Sequence, residues 1–179
     1  ILNDLGHTER VRSAALFATI LVALGATLFL RADTGISTIA IQPYDQASQG
    51  RCSEVQKAVA RKFGIQAVVL AVRPLPKSAY YAPRSRYRAD RLLDDLGSIK
   101  GYDRVVGITA KDISTTTRGV ADFGVLGLGQ MPGRACVVST YRLRSRNNPS
   151  LEQVRLERVV IHEIGHTLGL PHCPTPKCL

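Results

Sequence analysis

A chain of 179 residues, 45% hydrophobic and 21% charged, is composed like an ordinary globular domain. It holds no internal repeat and no low-complexity tract, which excludes solenoid and repetitive architectures. The net charge of +10 fits anionic partners, but no nucleic-acid motif accompanies it, so no specific nucleic acid is expected.

In chain order, residues 1–12 are a short flank. Residues 13–30 carry no charge. As a helix they would span ~27 Å, close to the bilayer core, and they read as a transmembrane signal anchor. Ala23-Leu24-Gly25 offers a cleavage site, so secretion after signal cleavage is the alternative. Arg10 and Arg12 precede the segment and Arg31 follows it, which places the domain after it outside the cytoplasm. Residues 31–37 are a linker, and 38–179 form the main domain.

Within that domain, residues 37–41 alternate like a first strand. Residues 52–63 read as a helix, with Val55, Ala58, Val59 and Phe63 on one face and Gly64 as its stop. The apolar run 67–72 reads as a buried strand. Prolines 74, 76 and 83 make 74–83 a loop. Residues 87–99 read as a second helix, 104–109 as a strand, and 125–128 and 135–140 as two more. Residues 151–168 form the last helix, with Ser150 as N-cap and Gln153 completing a capping box. The order predicts an α/β (α+β) domain: one twisted mixed sheet, backing helices, and the last helix below it.

That helix carries the chemistry. His162, Glu163, His166, Gly169 and His172 stand in the pattern HExxHxxGxxH, which uses three of the four histidines in the chain. Residues four apart share one helix face, so His162 and His166 can point at one ion. Catalytic zinc takes three protein ligands and keeps one position open. Gly169 can end the helix and Pro171 prevents its resumption, which lets His172 return as third ligand. Glu163 is then placed as general base toward water on the ion. One catalytic Zn2+ and a peptide or protein substrate follow.

The pattern 162–172 resembles that of the metzincin metallopeptidases, and Cys173-Pro-Thr-Pro-Lys-Cys178 after it is similar to the archaemetzincins. The stretches 74–81, 111–115 and 136–140 also resemble that family, over about residues 38–179 altogether. The resemblance implies a metzincin-like fold, His162, His166 and His172 as zinc ligands and Glu163 as base. It makes Cys173 and Cys178 two of four thiolates on a second, structural zinc. The family's following methionine and its Cys-x-x-Cys pair are not among these 179 residues. The chain thus reads as C-terminally truncated, with the structural zinc expected only in the complete protein. Cys52 and Cys136 lie far upstream and are not assigned to it.

By the same resemblance, 123–129 contains an edge strand above the zinc. Exposed edge groups can hold an extended peptide, so Gly124, Val125, Leu126 and Gly127 are the expected substrate-binding residues. The positive charge concentrates in 77–91 and in Arg142, Arg144 and Arg146, as a basic surface near anionic lipid or facing acidic substrates. Two functions result: a membrane-tethered zinc peptidase, or a catalytically inactive, zinc-stabilised, membrane-tethered binding module.

Overall fold

The computed structural model describes residues 36–145 and 147–172. The proposed span 13–30, Arg146, Cys173 and Cys178 lie outside the described residues. Among the described residues, no helix is long and apolar enough to cross a membrane.

Five strands form the main sheet: β1 (Ile39–Pro43), β2 (Ala67–Val69), β5 (Arg104–Thr109), β8 (Gly127–Gly129) and β9 (Ala135–Ser139), in the order β2-β1-β5-β9-β8. All neighbours run parallel except β8, which lies antiparallel to β9 at the edge. The central strands are buried on both faces, hence their nearly continuous apolar sequences.

Strand alternation divides the core in two. Ile39, Ile41, Val106, Ile108, Cys136 and Val138 point to one face. There they meet Val55 and Val59 of α2 (Cys52–Phe63) and Leu156, Val160 and Ile164 of α4 (Pro149–Thr167). Ala40, Val105, Ala135 and Val137 point the other way, onto Leu92, Leu93 and Leu96 of α3 (Ala89–Gly97). Each fully buried leucine or isoleucine here contributes roughly 1.5–3 kcal/mol. A short helix α1 (Gln46–Gln49) follows β1, capped by Asp45. The same Asp45 carboxylate accepts from Thr109 Oγ1 at 3.0 Å and Ala110 N at 2.8 Å, tying α1 to the end of β5.

A second sheet replaces part of what reads as loop and helix. It has the order β3-β4-β6-β7, from β3 (Tyr80–Tyr81), β4 (Arg86–Arg88), β6 (Ile113–Thr117) and β7 (Val120–Val125). The expectation of one mixed sheet is therefore corrected to two sheets. The loop 74–83 contains β3, and the helix expected from 87 begins at Ala89, because Tyr87 and Arg88 pair with Ile113 and Ser114. The strand expected over 125–128 is split at Leu126, where the chain leaves the edge of the second sheet and joins the edge of the first.

Much of the expected basic surface is neutralised inside this second sheet. Arg86 lies 3.3 Å from Asp112 and 3.5 Å from Asp122, all three largely shielded from solvent. Arg142 holds Asp112 bidentately at 2.7 and 2.9 Å. Arg88 reaches Asp90 and Thr116, while Thr115 donates to Asp90. Such pairs fix register more than they add stability.

Candidate metal centre

Helix α4 begins at Pro149, two residues earlier than Ser150 permits as a cap. Asn148 is the N-cap, its side-chain oxygen accepting from Leu151 N at 2.9 Å, and Pro149 occupies the first turn. The expected Ser150–Gln153 capping box does not form, since Ser150 is already helical. Leu156, Val160 and Ile164 seat the helix on the main sheet, which carries His162, Glu163 and His166 to the rim beside β8.

The helix stops as Gly169 predicts. Gly169 has φ +86°, a left-handed conformation that costs glycine little. Leu170 N bonds to Gly165 O at 3.1 Å, and Gly169 N to His166 O at 2.8 Å. This pair of bonds is a Schellman closure. It turns the chain so that His172 faces the helix.

Three ring nitrogens converge as a result. His166 Nε2 lies 3.0 Å from His162 Nε2 and 3.2 Å from His172 Nε2. Three ligands held 2.0–2.1 Å from a tetrahedral ion would sit about 3.3 Å apart, so the observed spacing fits zinc. His166 also has the correct tautomer imposed on it. A carbonyl can only accept, so His166 Nδ1–H donates to Leu170 O at 2.8 Å and leaves Nε2 as the lone-pair atom. The closure that ends the helix thus also orients a ligand. His162, His166 and His172 form the one metal-ready group among the described residues.

Glu163 faces the same space and is 7% exposed. Burial pushes its carboxyl up to about 7, against the opposing effect of a hydrogen bond from the Gly129 backbone. Its position depends on two missing side chains. A Cβ on Gly127 would lie 2.7 Å from Glu163 Oε1, and one on Gly129 would lie 2.7 Å from Glu163 O. The Gly-x-Gly of β8 therefore lets α4 press against the sheet edge. Gly129 and Leu170 are not among the site residues expected from the sequence. The glycine spacing was the available signal for the first; a main-chain acceptor leaves none for the second.

Two cavities meet at Glu163. One, of about 500 Å³, lies between the β6–β7 hairpin, β8 and His172. The other, of about 390 Å³, is bounded by His162, Arg158 and the crossover segment. Gly124, Val125, Leu126 and Gly127 all line the second cavity, and Val125 and Gly127 line both.

Three convergent histidines and a buried glutamate under a sheet edge define the class of zinc metallopeptidases. The chain belongs to peptidase family M54, whose model matches residues 37–179. It is 35% identical over 124 residues to the archaemetzincin of Halobacterium salinarum, spanning 65% of this chain and 69% of that protein. It is 42% identical over 106 residues to the archaemetzincin of Methanopyrus kandleri, or 59% of this chain and 58% of that one. The crystal structure of the M. kandleri archaemetzincin superposes with TM-score 0.69 at 32% identity, covering 82% of this chain and 81% of that chain. The archaemetzincin of Archaeoglobus fulgidus, crystallised with malonate, gives TM-score 0.67 at 27% identity, with 77% and 82% covered.

Proposed function

We propose that this chain hydrolyses peptide bonds at the His162–His166–His172 centre, with Glu163 as general base. The observation that carries this is the meeting of the three Nε2 atoms beside a buried carboxylate in an open cleft. The donor set suits zinc, which when bound supplies Lewis acidity to water and to a substrate carbonyl. The protein's own groups do the rest. His166, locked by Leu170 O, keeps its Nε2 aimed at the ion position. Glu163 accepts a proton from water and returns it to the leaving amine. Its partial desolvation keeps that carboxylate basic enough for the task. The edge of β8, which pairs with no further strand among the described residues, and the crossover residues Gly124, Val125, Leu126 and Gly127 hold an extended peptide by main-chain pairing.

Residues 13–30 serve in this reading as a membrane anchor with the catalytic domain outside the cytoplasm, supported by their uncharged length. Cys173 and Cys178 contribute two thiolates to a structural zinc, supported by their spacing behind His172.

The test is hydrolysis of a mixed peptide library by zinc-loaded protein, with and without chelator, beside Glu163→Ala. Chelator-sensitive cleavage that Glu163→Ala abolishes while retaining zinc is expected. Full activity in zinc-loaded Glu163→Ala would refute the role of the base. Zinc binding without any cleavage would favour the binding module.

A further inference from the structure

We propose that Arg118 and Arg158 bracket the cleft and select peptides bearing carboxylates on both sides of the cleaved bond. This rests on the peptidase reading of the same site.

Among the described residues, each of the two cavities meeting at Glu163 has a single arginine in its wall: Arg118 in the larger, Arg158 in the smaller. Among the described residues, Glu163 is the sole acidic one lining either. The surrounding arginines are already committed. Arg86 and Arg142 are paired with Asp112, and Arg88 with Asp90. On α4, Glu152 is engaged by Arg51, which precedes α2, and Glu157 by Arg61 of α2. Among the described residues, no ion pair includes Arg118 or Arg158.

Both are also placed by rigid structure. Arg118 and Gly119 form the two-residue turn between β6 and β7, closed by the Thr117–Val120 pair, with φ of 50° and 77°. Both angles positive is the turn that matches strand twist and fixes a hairpin tip. Arg158 stands four residues before His162, so it shares the helix face of a metal ligand. Between these two cations the wall is largely apolar, with Phe123 and Val125 lining both cavities. A peptide lying through the cleft therefore meets apolar surface at the centre and one unpaired guanidinium toward each end. The matching ligand chemistry is a carboxylate, from an Asp or Glu side chain or from a chain terminus.

The experiment uses zinc-loaded protein and one peptide series with a constant apolar centre. Glu or Gln is placed upstream, downstream or at both positions, and the downstream end is made as free acid or as amide. Each flanking carboxylate is expected to raise kcat/KM about three- to tenfold at low salt, with the gain shrinking at ~0.5 M salt. Arg118→Gln should remove the preference on one side and Arg158→Gln on the other, while Arg→Lys at each keeps part of it. Free acid against amide separates a terminal carboxylate from a side chain. Peptide binding to Glu163→Ala, read by fluorescence anisotropy, should follow the same ranking. Equal kcat/KM for Glu and Gln peptides, or a preference that survives both Arg→Gln changes, overturns the proposal. Absence of all hydrolysis together with the predicted ranking in binding would sink the peptidase reading and leave the arginine selectivity standing.

Discussion

Gly127→Ala and Gly129→Ala add one methyl group each to the same strand, and they should fail in different ways. At Gly129 the new Cβ meets the main-chain oxygen of Glu163 at 2.7 Å and the His166 Cβ at 3.1 Å. Neither can yield without moving α4, whose other face is locked by Leu156, Val160 and Ile164. Overpacking of this kind costs about 1–3 kcal/mol, of which alanine returns up to about 1 kcal/mol through reduced unfolded-state freedom. The net loss of about 1–2 kcal/mol corresponds to roughly 3–8 °C in Tm for a domain of this size. At Gly127 the new Cβ meets Glu163 Cγ and Oε1, each at 2.7 Å. That side chain can rotate away. Stability should change by less than about 1 kcal/mol, while the displaced base costs about 100-fold or more in kcat. Thermal melts, zinc content and peptide hydrolysis on both variants separate the two effects. If Gly127→Ala keeps wild-type kcat, or Gly129→Ala melts with the wild type, the glycines do not position Glu163 and α4.

Asn148→Ala should cost about 1 kcal/mol through loss of the N-cap, whereas Ser150→Ala should stay within a few tenths; urea unfolding of both decides which residue caps α4. Gly169→Ala forces a side chain into φ +86° at about 1–2 kcal/mol and should release zinc more readily in a chelator competition, because the turn carries His172. Asp103 accepts from the backbone and side chains of Ser37 and Thr38, which holds its carboxyl well below the usual range. A folded pKa below the unfolded one contributes stability above about pH 4 that fades as pH falls from there. Asp103→Asn should therefore lower stability at neutral pH and flatten its decline in acid, measured by urea midpoints from pH 7 to pH 2.

What could be read in advance was local. The helix Cys52–Phe63 was legible to the residue, since one apolar face and a left-handed Gly64 define it without help from afar. So was the strand Arg104–Thr109, an apolar run buried on both sides. The three histidines and Glu163 were legible because helical spacing alone aligns two ligands and Gly169 dictates the return of the third. The second sheet was not. Ile113-Ser-Thr-Thr-Thr117 has little apolar alternation and is held by β4, which lies some 25 residues upstream and reads as the start of a helix. Asp112 and Asp122 bind arginines that look, in the sequence, like a free basic surface. Pairings of this kind are decided by tertiary contact, which no window of sequence contains.

The Leu170 carbonyl that orients His166 belongs to the turn that delivers His172, so ligand orientation and chain reversal are one cooperative unit. Ion uptake and closure of the final helical turn are then linked equilibria, each strengthening the other by the same factor. The amides of Gly169 and Leu170, bonded to His166 and Gly165, become reporters of that linkage. Their hydrogen exchange should slow on zinc addition in step with occupancy, by about 100-fold at a hundredfold excess over Kd if exchange requires loss of the ion. A fraying helix end would in that way serve as a gauge of metal affinity, readable without any substrate.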